Sequence, residues 1–311
     1  MAALLALWIN FPLGTWLFSP RAASRVAALP ASAPFRAGQR VLLLSPHPDD
    51  ETLCCAGLLQ QARRAGARVF IAWMTSGDGF EFDAALLGRQ LDPGDAALIR
   101  LGKRRIGEAR RAARLLGIPA ANLFFLGYPD GGLYHLFLEN YAAPYTSAYT
   151  GVSRVPYREA LAPGSAYTGQ NFERDVGRVI EATRPDLVLA PAPQDQHPDH
   201  RATSYVALRL LAERGEAGKL RFWVVHGGLE WPLPKGAHPN LPLTLPPRAP
   251  NLAWRRVDLT PEQVRKKGAV IRSYVTQTRV MDRFLLAFER RNELLSDTPL
   301  PRTPLSTGTE R

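Results

Sequence analysis

RVLLLSPHPDDETLCCAGLLQQARRAGARVFIAWMT, residues 40–75, reads as a strand, a polar turn, a helix and a second strand. Arg40–Ser45 is a short apolar run of the kind buried on both faces of a parallel sheet. Asp50–Ala65 has helical composition and is closed by Gly66. Ala67–Thr75 is apolar again, so two strands flank one helix. Between the first strand and the helix lies His47-Pro48-Asp49-Asp50-Glu51, a dense polar string where the chain turns.

The alternation continues downstream. Arg104–Leu116 reads as a basic helix closed by Gly117, Asn122–Leu126 as a third strand, Phe172–Thr183 as a helix and Leu187–Ala190 as a fourth strand. His200–Arg214 is a helix ended by Gly215. Leu220–His226 is a fifth strand and Trp254–Leu259 a sixth. Thr260–Gln277 opens with Thr-Pro-Glu-Gln, a helix start with proline in the first turn, and Met281–Leu295 continues as helix. This order predicts an α/β fold with a mostly parallel sheet and ligands at the carboxyl ends of the strands. Gly77–Gly102, read as a connecting loop, and the long Leu133–Gln170 stand outside the rhythm; loops of that length are commonly functional.

The 311 residues include 39 Lys+Arg and 28 Asp+Glu, a net charge of +11, with 46% hydrophobic and 22% charged residues. Such a composition excludes a disordered chain, a collagen and a small stapled scaffold. The only cysteines, Cys54 and Cys55, are neighbours, which excludes a disulfide framework and a zinc ribbon. The basic excess raises nucleic acid as a partner. The charges come as pairs and triplets, such as Arg63-Arg64 and Lys103-Arg104-Arg105, without tail-like blocks or a zinc-finger or RNP pattern. No specific nucleic-acid partner is therefore expected, and an anionic membrane surface or an anionic substrate is the alternative use of the charge.

Ala3–Phe18 carries no charge, but it is shorter than the ~20 residues of a full span and is interrupted by Pro12 and Gly14. Trp8, Trp16 and Phe18 suit a membrane interface, and Arg21 and Arg25 follow closely. The run reads as an atypical export signal or an anchor, which predicts an exported or membrane-associated chain; a buried N-terminal extension is the alternative. Ala27–Gly38 reads as a linker. The expected organisation is a hydrophobic segment and linker at 1–38, one α/β domain at 39–297 and a polar tail at 298–311. Oligomeric state is left open.

Two strings carry chemistry. The first is His47-Pro48-Asp49-Asp50-Glu51 after the first strand; the second is Asp195-Gln196-His197-Pro198-Asp199-His200 after the fourth. In an open parallel sheet the first and fourth strands commonly flank the point where strand order reverses, so the strings would converge on one crevice. Histidines with carboxylates form the ligand set of a catalytic zinc with an open water position, and two His with one carboxylate also suit Fe2+. The adjacent Asp49 and Asp50 would point apart, one to a metal and the other free to accept a proton. The competing reading makes Asp50 and Asp199 ordinary helix N-caps.

Together, His47-Pro48-Asp49-Asp50-Glu51 and His197-Pro198-Asp199-His200 resemble the PIG-L/LmbE-like family of N-acetyl-sugar deacetylases. Arg105-x-x-Glu108, Leu126-Gly127-Tyr128-Pro129-Asp130-Gly131, and Lys267-Gly268-Ala269 leading to Tyr274 and Gln277 resemble further family stretches, so the likeness runs from Arg40 to Leu295. It implies a Rossmann-like three-layer α/β/α fold. It also implies that His47, Asp50 and His200 bind Zn2+, that Asp49 is the general base, that a protonated His197 stabilises the oxyanion, and that Arg105 and Asp130 bind substrate. Some relatives carry a tyrosine where this chain has Asp195.

The implied reaction is metal-dependent hydrolysis of an N-acetyl group from an N-acetylglucosamine-type sugar or glycoconjugate, giving acetate and a free amine. The five tyrosines of the long loop, Tyr141, Tyr145, Tyr149, Tyr157 and Tyr167, would then suit a cover over the sugar. One alternative is a zinc amidase acting on another sugar conjugate. Another is a non-catalytic nucleotide-binding α/β protein, which the absence of a Gly-x-Gly-x-x-Gly turn after the first strand disfavours.

Overall fold

The computed structural model describes residues 12–79, 95–228 and 230–300. Among the described residues, seven strands form one sheet in the order β3-β2-β1-β4-β5-β7-β6. They are β1 (Arg40–Ser45), β2 (Arg68–Thr75), β3 (Leu123–Tyr128), β4 (Leu187–Pro191), β5 (Leu220–Trp223), β6 (Trp254–Asp258) and β7 (Asn292–Ser296). Strands β1 to β5 pair in parallel; β7 pairs antiparallel with both β5 and β6. Val41 to Leu44 are wholly buried, as befits a strand covered on both faces. The order reverses between β1 and β4, and the two polar strings leave the sheet at that place.

Eight helices are described: α1 (Pro12–Ala27), α2 (Asp50–Arg64), α3 (Asp95–Leu115), α4 (Leu133–Leu138), α5 (Gly169–Thr183), α6 (Pro198–Glu213), α7 (Pro261–Arg272) and α8 (Val275–Leu286). α2 packs on α7, which also meets α3 and α8, while α4, α5 and α6 pack together. Helices thus cover both faces of the sheet, as expected of three layers. Fully buried Trp73, Trp223 and Trp254 fill the core. Cys54 and Cys55 are bonded to each other and close no loop.

The structure differs from the sequence reading in several elements. The expected helix Met281–Leu295 ends at Leu286, and residues 292–296 form β7. Their pairing with β6 over five positions decides the matter. Thr260–Gln277 breaks near Ser273 and Tyr274 into α7 and α8. Of Gly77–Gly102, residues 80–94 lie outside the described residues, and the rest from Asp95 belongs to α3. Within the long loop, Tyr157 and Tyr167 are core residues rather than a cover.

The expectation of export or membrane association through the N-terminal run is also corrected. Among the described residues no helix is long and apolar enough to cross a membrane. From Pro12 the run enters α1, whose 16 residues take in Pro20, Arg21 and Arg25. At 1.5 Å per residue that helix spans roughly 24 Å, short of a hydrocarbon core of about 30 Å. Residues 3–11 of the run lie outside the described residues. The segment read as a linker binds the sheet edge: Ala31 bridges Arg256 of β6, and Arg256 also donates to the carbonyls of Ala27 and Leu29.

Candidate metal centre and active site

The turn after β1 is built against its own backbone preference. Asp49 has φ 127° and ψ −33°, a region that non-glycine residues avoid and that costs about 1–3 kcal/mol. Glu51 holds it there. Its carboxylate accepts the Asp49 amide at 3.1 Å, the Trp73 Nε1–H at 3.0 Å, the Thr52 hydroxyl at 2.7 Å and the Tyr274 hydroxyl. Burial pushes Glu51 up, and these donors oppose that rise. Asp49 rather than Asp50 occupies the N-cap position of α2, and it makes no side-chain cap; His197 rather than Asp199 caps α6.

At the centre lies Asp50. Its Oδ2 is 3.1 Å from His47 Nδ1 and 3.1 Å from His200 Nε2. The outward nitrogen of each ring meets other carboxylates. His47 Nε2 is 3.1 Å from Asp130 and 3.2 Å from Asp199, and His200 Nδ1 is 3.2 Å from Asp195. A histidine with one ring nitrogen beside a carboxylate and the other facing a shared centre is the usual construction of a histidine metal site. His200 is fully buried, and neither of its ring nitrogens has a partner in hydrogen-bond alignment. Once deprotonated, its Nε2, 3.1 Å from Asp50 but out of alignment with it, can give its lone pair to a cation. Among the described residues, three overlapping sets have ligand atoms within 4.8 Å of one another: His47, His197 and His200; Asp50, His200 and His226; and His47, Asp130 and Asp199. The residues present fit a divalent metal.

Asp195 and Asp199 organise the second string. Asp195 accepts the amides of Val225 and His226 on one oxygen and that of His197 on the other. Burial would raise it, but His200, His226 and the His197 amide hold it well below the carboxylate range. Asp199 accepts the amides of Gly131 at 2.7 Å and Leu133 at 3.0 Å, tying the loop after β3 to α6. His197 Nδ1 accepts the Asp199 amide at 3.2 Å. A nitrogen that accepts carries no proton, so His197 bears its hydrogen on Nε2 and is neutral. Burial and the neighbouring histidines His47, His200 and His226 push its pKa down in the same sense.

Asp49 lies 3.2 Å from Arg105, whose guanidinium also donates to the carbonyls of Gly77 at 2.8 Å and Pro48 at 2.6 Å. Burial pushes Asp49 up to about 8, with Arg105 pulling the other way. Against burial, Asp195 and Asp50 raise His200 to about 9. Burial lowers His226 to about 4, and His200 adds to that. Asp130 receives the Gly79 amide at 2.8 Å. Burial opposes its ionisation, yet His47 and Arg105 hold it far below the usual range.

His47, Asp49, Asp50, Arg105, Asp130 and His197 line one cavity of about 440 Å³. His200, the seventh residue singled out from the sequence, is buried against Asp50 and Trp223. Of the five loop tyrosines only Tyr149 reaches this cavity. The sequence reading missed Glu51, Asp195 and Asp199 as positioning groups and His226 as a member of the cluster. For His226 a signal existed, since it closes the apolar run Leu220–His226 at the same end of the sheet. Glu51 is the last residue of the motif itself.

Several known proteins are similar to this chain. A diacetylchitobiose deacetylase of Thermococcus kodakarensis is 24% identical over 185 residues, 58% of this chain and 52% of that protein. A 1D-myo-inositol 2-acetamido-2-deoxy-alpha-D-glucopyranoside deacetylase of Tsukamurella paurometabola is 29% identical over 215 residues, 61% of this chain and 63% of that protein. The chain thus spans about half to two thirds of the length of these curated relatives. A solved deacetylase from the teicoplanin biosynthesis pathway shares the fold, with a TM-score of 0.53 at 19% identity over 83% of this chain and 97% of that one. Residues 42–211, more than half of the chain and both polar strings, match the family described as PIG-L: GlcNAc-PI de-N-acetylase, and the chain belongs to that family.

Proposed function

We propose that the protein hydrolyses the N-acetyl group of an N-acetylglucosamine-type sugar or glycoconjugate, within a catalytic domain spanning residues 39–297. The observation that carries this reading is Asp50 Oδ2 equidistant from His47 Nδ1 and His200 Nε2, with the separate carboxylate of Asp49 on the same cavity. His47, Asp50 and His200 would hold Zn2+, with Fe2+ as the alternative. When bound, such an ion polarises the acetamide carbonyl and lowers the pKa of water.

The chain's own groups do the rest. Asp49 takes a proton from the attacking water on its carboxylate. Its pKa of about 8 belongs to the protein without a cation; Arg105 and a dication both favour the ionised form that a base requires. Asp49 then returns the proton to the departing nitrogen, so the C–N bond breaks to give acetate and the free amino sugar. His197 donates Nε2–H to the carbonyl oxygen as a neutral imidazole, a revision of the protonated form expected from the sequence. A donor in this role contributes on the order of 3 kcal/mol. Asp130 and Arg105 face the same cavity and suit sugar hydroxyls.

The test is acetate release from a panel of free, nucleotide-linked and other conjugated N-acetyl sugars by metal-loaded protein. Asp49→Asn should lower kcat at least 100-fold while metal content, read by elemental analysis, stays at the wild-type level. Full activity in Asp49→Asn would overturn the base assignment. Cleavage of larger amides with no acetate release would favour the amidase.

A further inference from the structure

Arg105 and Asp130 come to the cavity from different elements, α3 and the loop after β3, yet one short segment holds both. The Gly77 carbonyl accepts the Arg105 guanidinium at 2.8 Å, and the Gly79 amide donates to the Asp130 carboxylate at 2.8 Å. Gly79, Arg105 and Asp130 line the cavity; Asp78, between the two anchor points, does not. Asp78 is 1% exposed, and its carboxylate turns away and accepts the Tyr157 hydroxyl. Residues 77–79 thus form a strap with three attachments: Arg105 at one end, Asp130 at the other and Tyr157 behind.

Tyr157 is set in a slot made for it. It is fully buried. Gly102 of α3 and Gly127 of β3 leave room: a Cβ on Gly102 would overlap the hydroxyl, and one on Gly127 would lie 2.9 Å from the ring. The turn that carries Tyr157 is fixed as well. Val155 accepts the Gly164 amide and donates to the Ser165 carbonyl, each at 2.9 Å, and the Leu161 amide donates to the Phe125 carbonyl of β3 at 2.7 Å. The long segment read as a cover over the sugar therefore sends a rigid arm behind the site instead. An aromatic side chain suits that task, since it has few torsions to fix. Placement matters here, because a shift of about 1 Å at a reacting group can cost on the order of 100-fold in rate.

We propose that Tyr157 is a positioning residue for the reaction: through Asp78 it holds residues 77–79 so that Arg105 is aimed at Asp49 and Asp130 at the sugar. The proposal rests on the deacetylase reading above and adds to it a residue outside the cavity. Losing the Tyr157 hydroxyl frees the strap, and both arms relax together. The Arg105 arm supports the base and so governs kcat. The Asp130 arm binds sugar and so governs KM.

The experiment measures acetate release by metal-loaded full-length protein from the best-cleaved sugar of the panel above, with kcat expressed per bound metal. Tyr157→Phe should lower kcat at least tenfold and raise KM at least threefold. Asp78→Ala, which removes the acceptor without leaving a buried unpaired carboxylate, should do the same. Adding Tyr157→Phe to Asp78→Ala should change neither constant by more than twofold, because the hydroxyl acts only through Asp78. Tyr141→Phe removes a hydroxyl of the same long segment that is bonded to Glu173 instead, and it should leave both constants at the wild-type value. Unchanged kcat and KM in Tyr157→Phe would overturn the proposal even with a lowered Tm, since Tyr157 would then serve stability alone. A full further loss on the Asp78→Ala background would overturn it too. If wild-type protein releases acetate from no sugar of the panel, the deacetylase reading fails, and hydrogen exchange read by mass spectrometry still decides the positioning. Residues 77–79 must then exchange at least tenfold faster in Tyr157→Phe with α2 unchanged; equal rates reject it.

Discussion

Gly77 is where one missing carbon protects the active site. It has φ +65°, and a Cβ there would lie 2.0 Å from an Arg105 guanidinium nitrogen. Gly77→Ala should therefore push Arg105 away from Asp49 and lower kcat by at least tenfold, with metal content unchanged; an unaltered kcat would show that Arg105 has room to give. One residue on, Asp78 is buried, accepts the Tyr157 hydroxyl and is pushed up to about 7, by burial first and by Asp130 second. Its folded pKa lies above the unfolded value of 3.8, so its contribution to stability is complete below pH 4 and is lost as pH rises toward 7 and beyond. The loss is on the order of 4 kcal/mol. In the metal-free protein Asp49 adds in the same sense. Urea unfolding at pH 5 and pH 8 should show this fall, and Asp78→Asn, which keeps an acceptor for Tyr157, should reduce it by more than 2 kcal/mol.

Among the elements, α2 is fastened to α7 and β7 by a buried ion pair. Lys267 donates to Glu293 at 2.7 Å and to the Leu53 carbonyl at 2.7 Å, while Glu293 accepts the amides of Gly57 and Leu58. Lys267→Met leaves Glu293 buried and unpaired, a change that costs about 3–5 kcal/mol. Thermal or urea unfolding should register it, and a loss under 1 kcal/mol would refute the role. This pair explains why a lysine stands inside an otherwise buried helix face, something a linear reading takes for ordinary surface charge. Arg105 is the same lesson within Lys103-Arg104-Arg105: Lys103 and Arg104 are exposed, and Arg105 turns inward to Asp49. Strands β1 and β2 were legible because parallel strands buried on both faces stay apolar throughout. β7 was not, because Asn292–Ser296 becomes a strand only through its partners. In the site, His47, Asp49, Asp50, His197 and His200 were legible from two strings at strand ends. Asp195's hold on His200 and the approach of His226 exist only once the β4 and β5 ends lie side by side.

For the whole molecule, the unusual feature is how much charge the centre confines. Asp49, Asp50, Asp195, Asp199, His47 and His200 are all buried there. A cation that binds the folded chain alone stabilises it by about 4 kcal/mol at a thousandfold excess over Kd. Stripping divalent metal with a chelator should therefore lower Tm by several degrees, and adding back Zn2+ should restore it; a Tm indifferent to metal would count against the ligand set. The net charge of +11 plays no part in this centre, apart from Arg105.

The bridge between Ala31 and Arg256 has a consequence for handling the protein. β6 ends the sheet, and an uncovered terminal strand offers a row of unpaired amides and carbonyls to any other copy. Here Pro30 and Ser32 occupy the two polar groups of Arg256, so the residues before the first strand act as a guard against edge-to-edge association. A chain shortened to begin at residue 39 should keep its catalytic geometry yet self-associate on concentration, which light scattering would reveal. Persistence as a stable monodisperse species would show that the guard is dispensable.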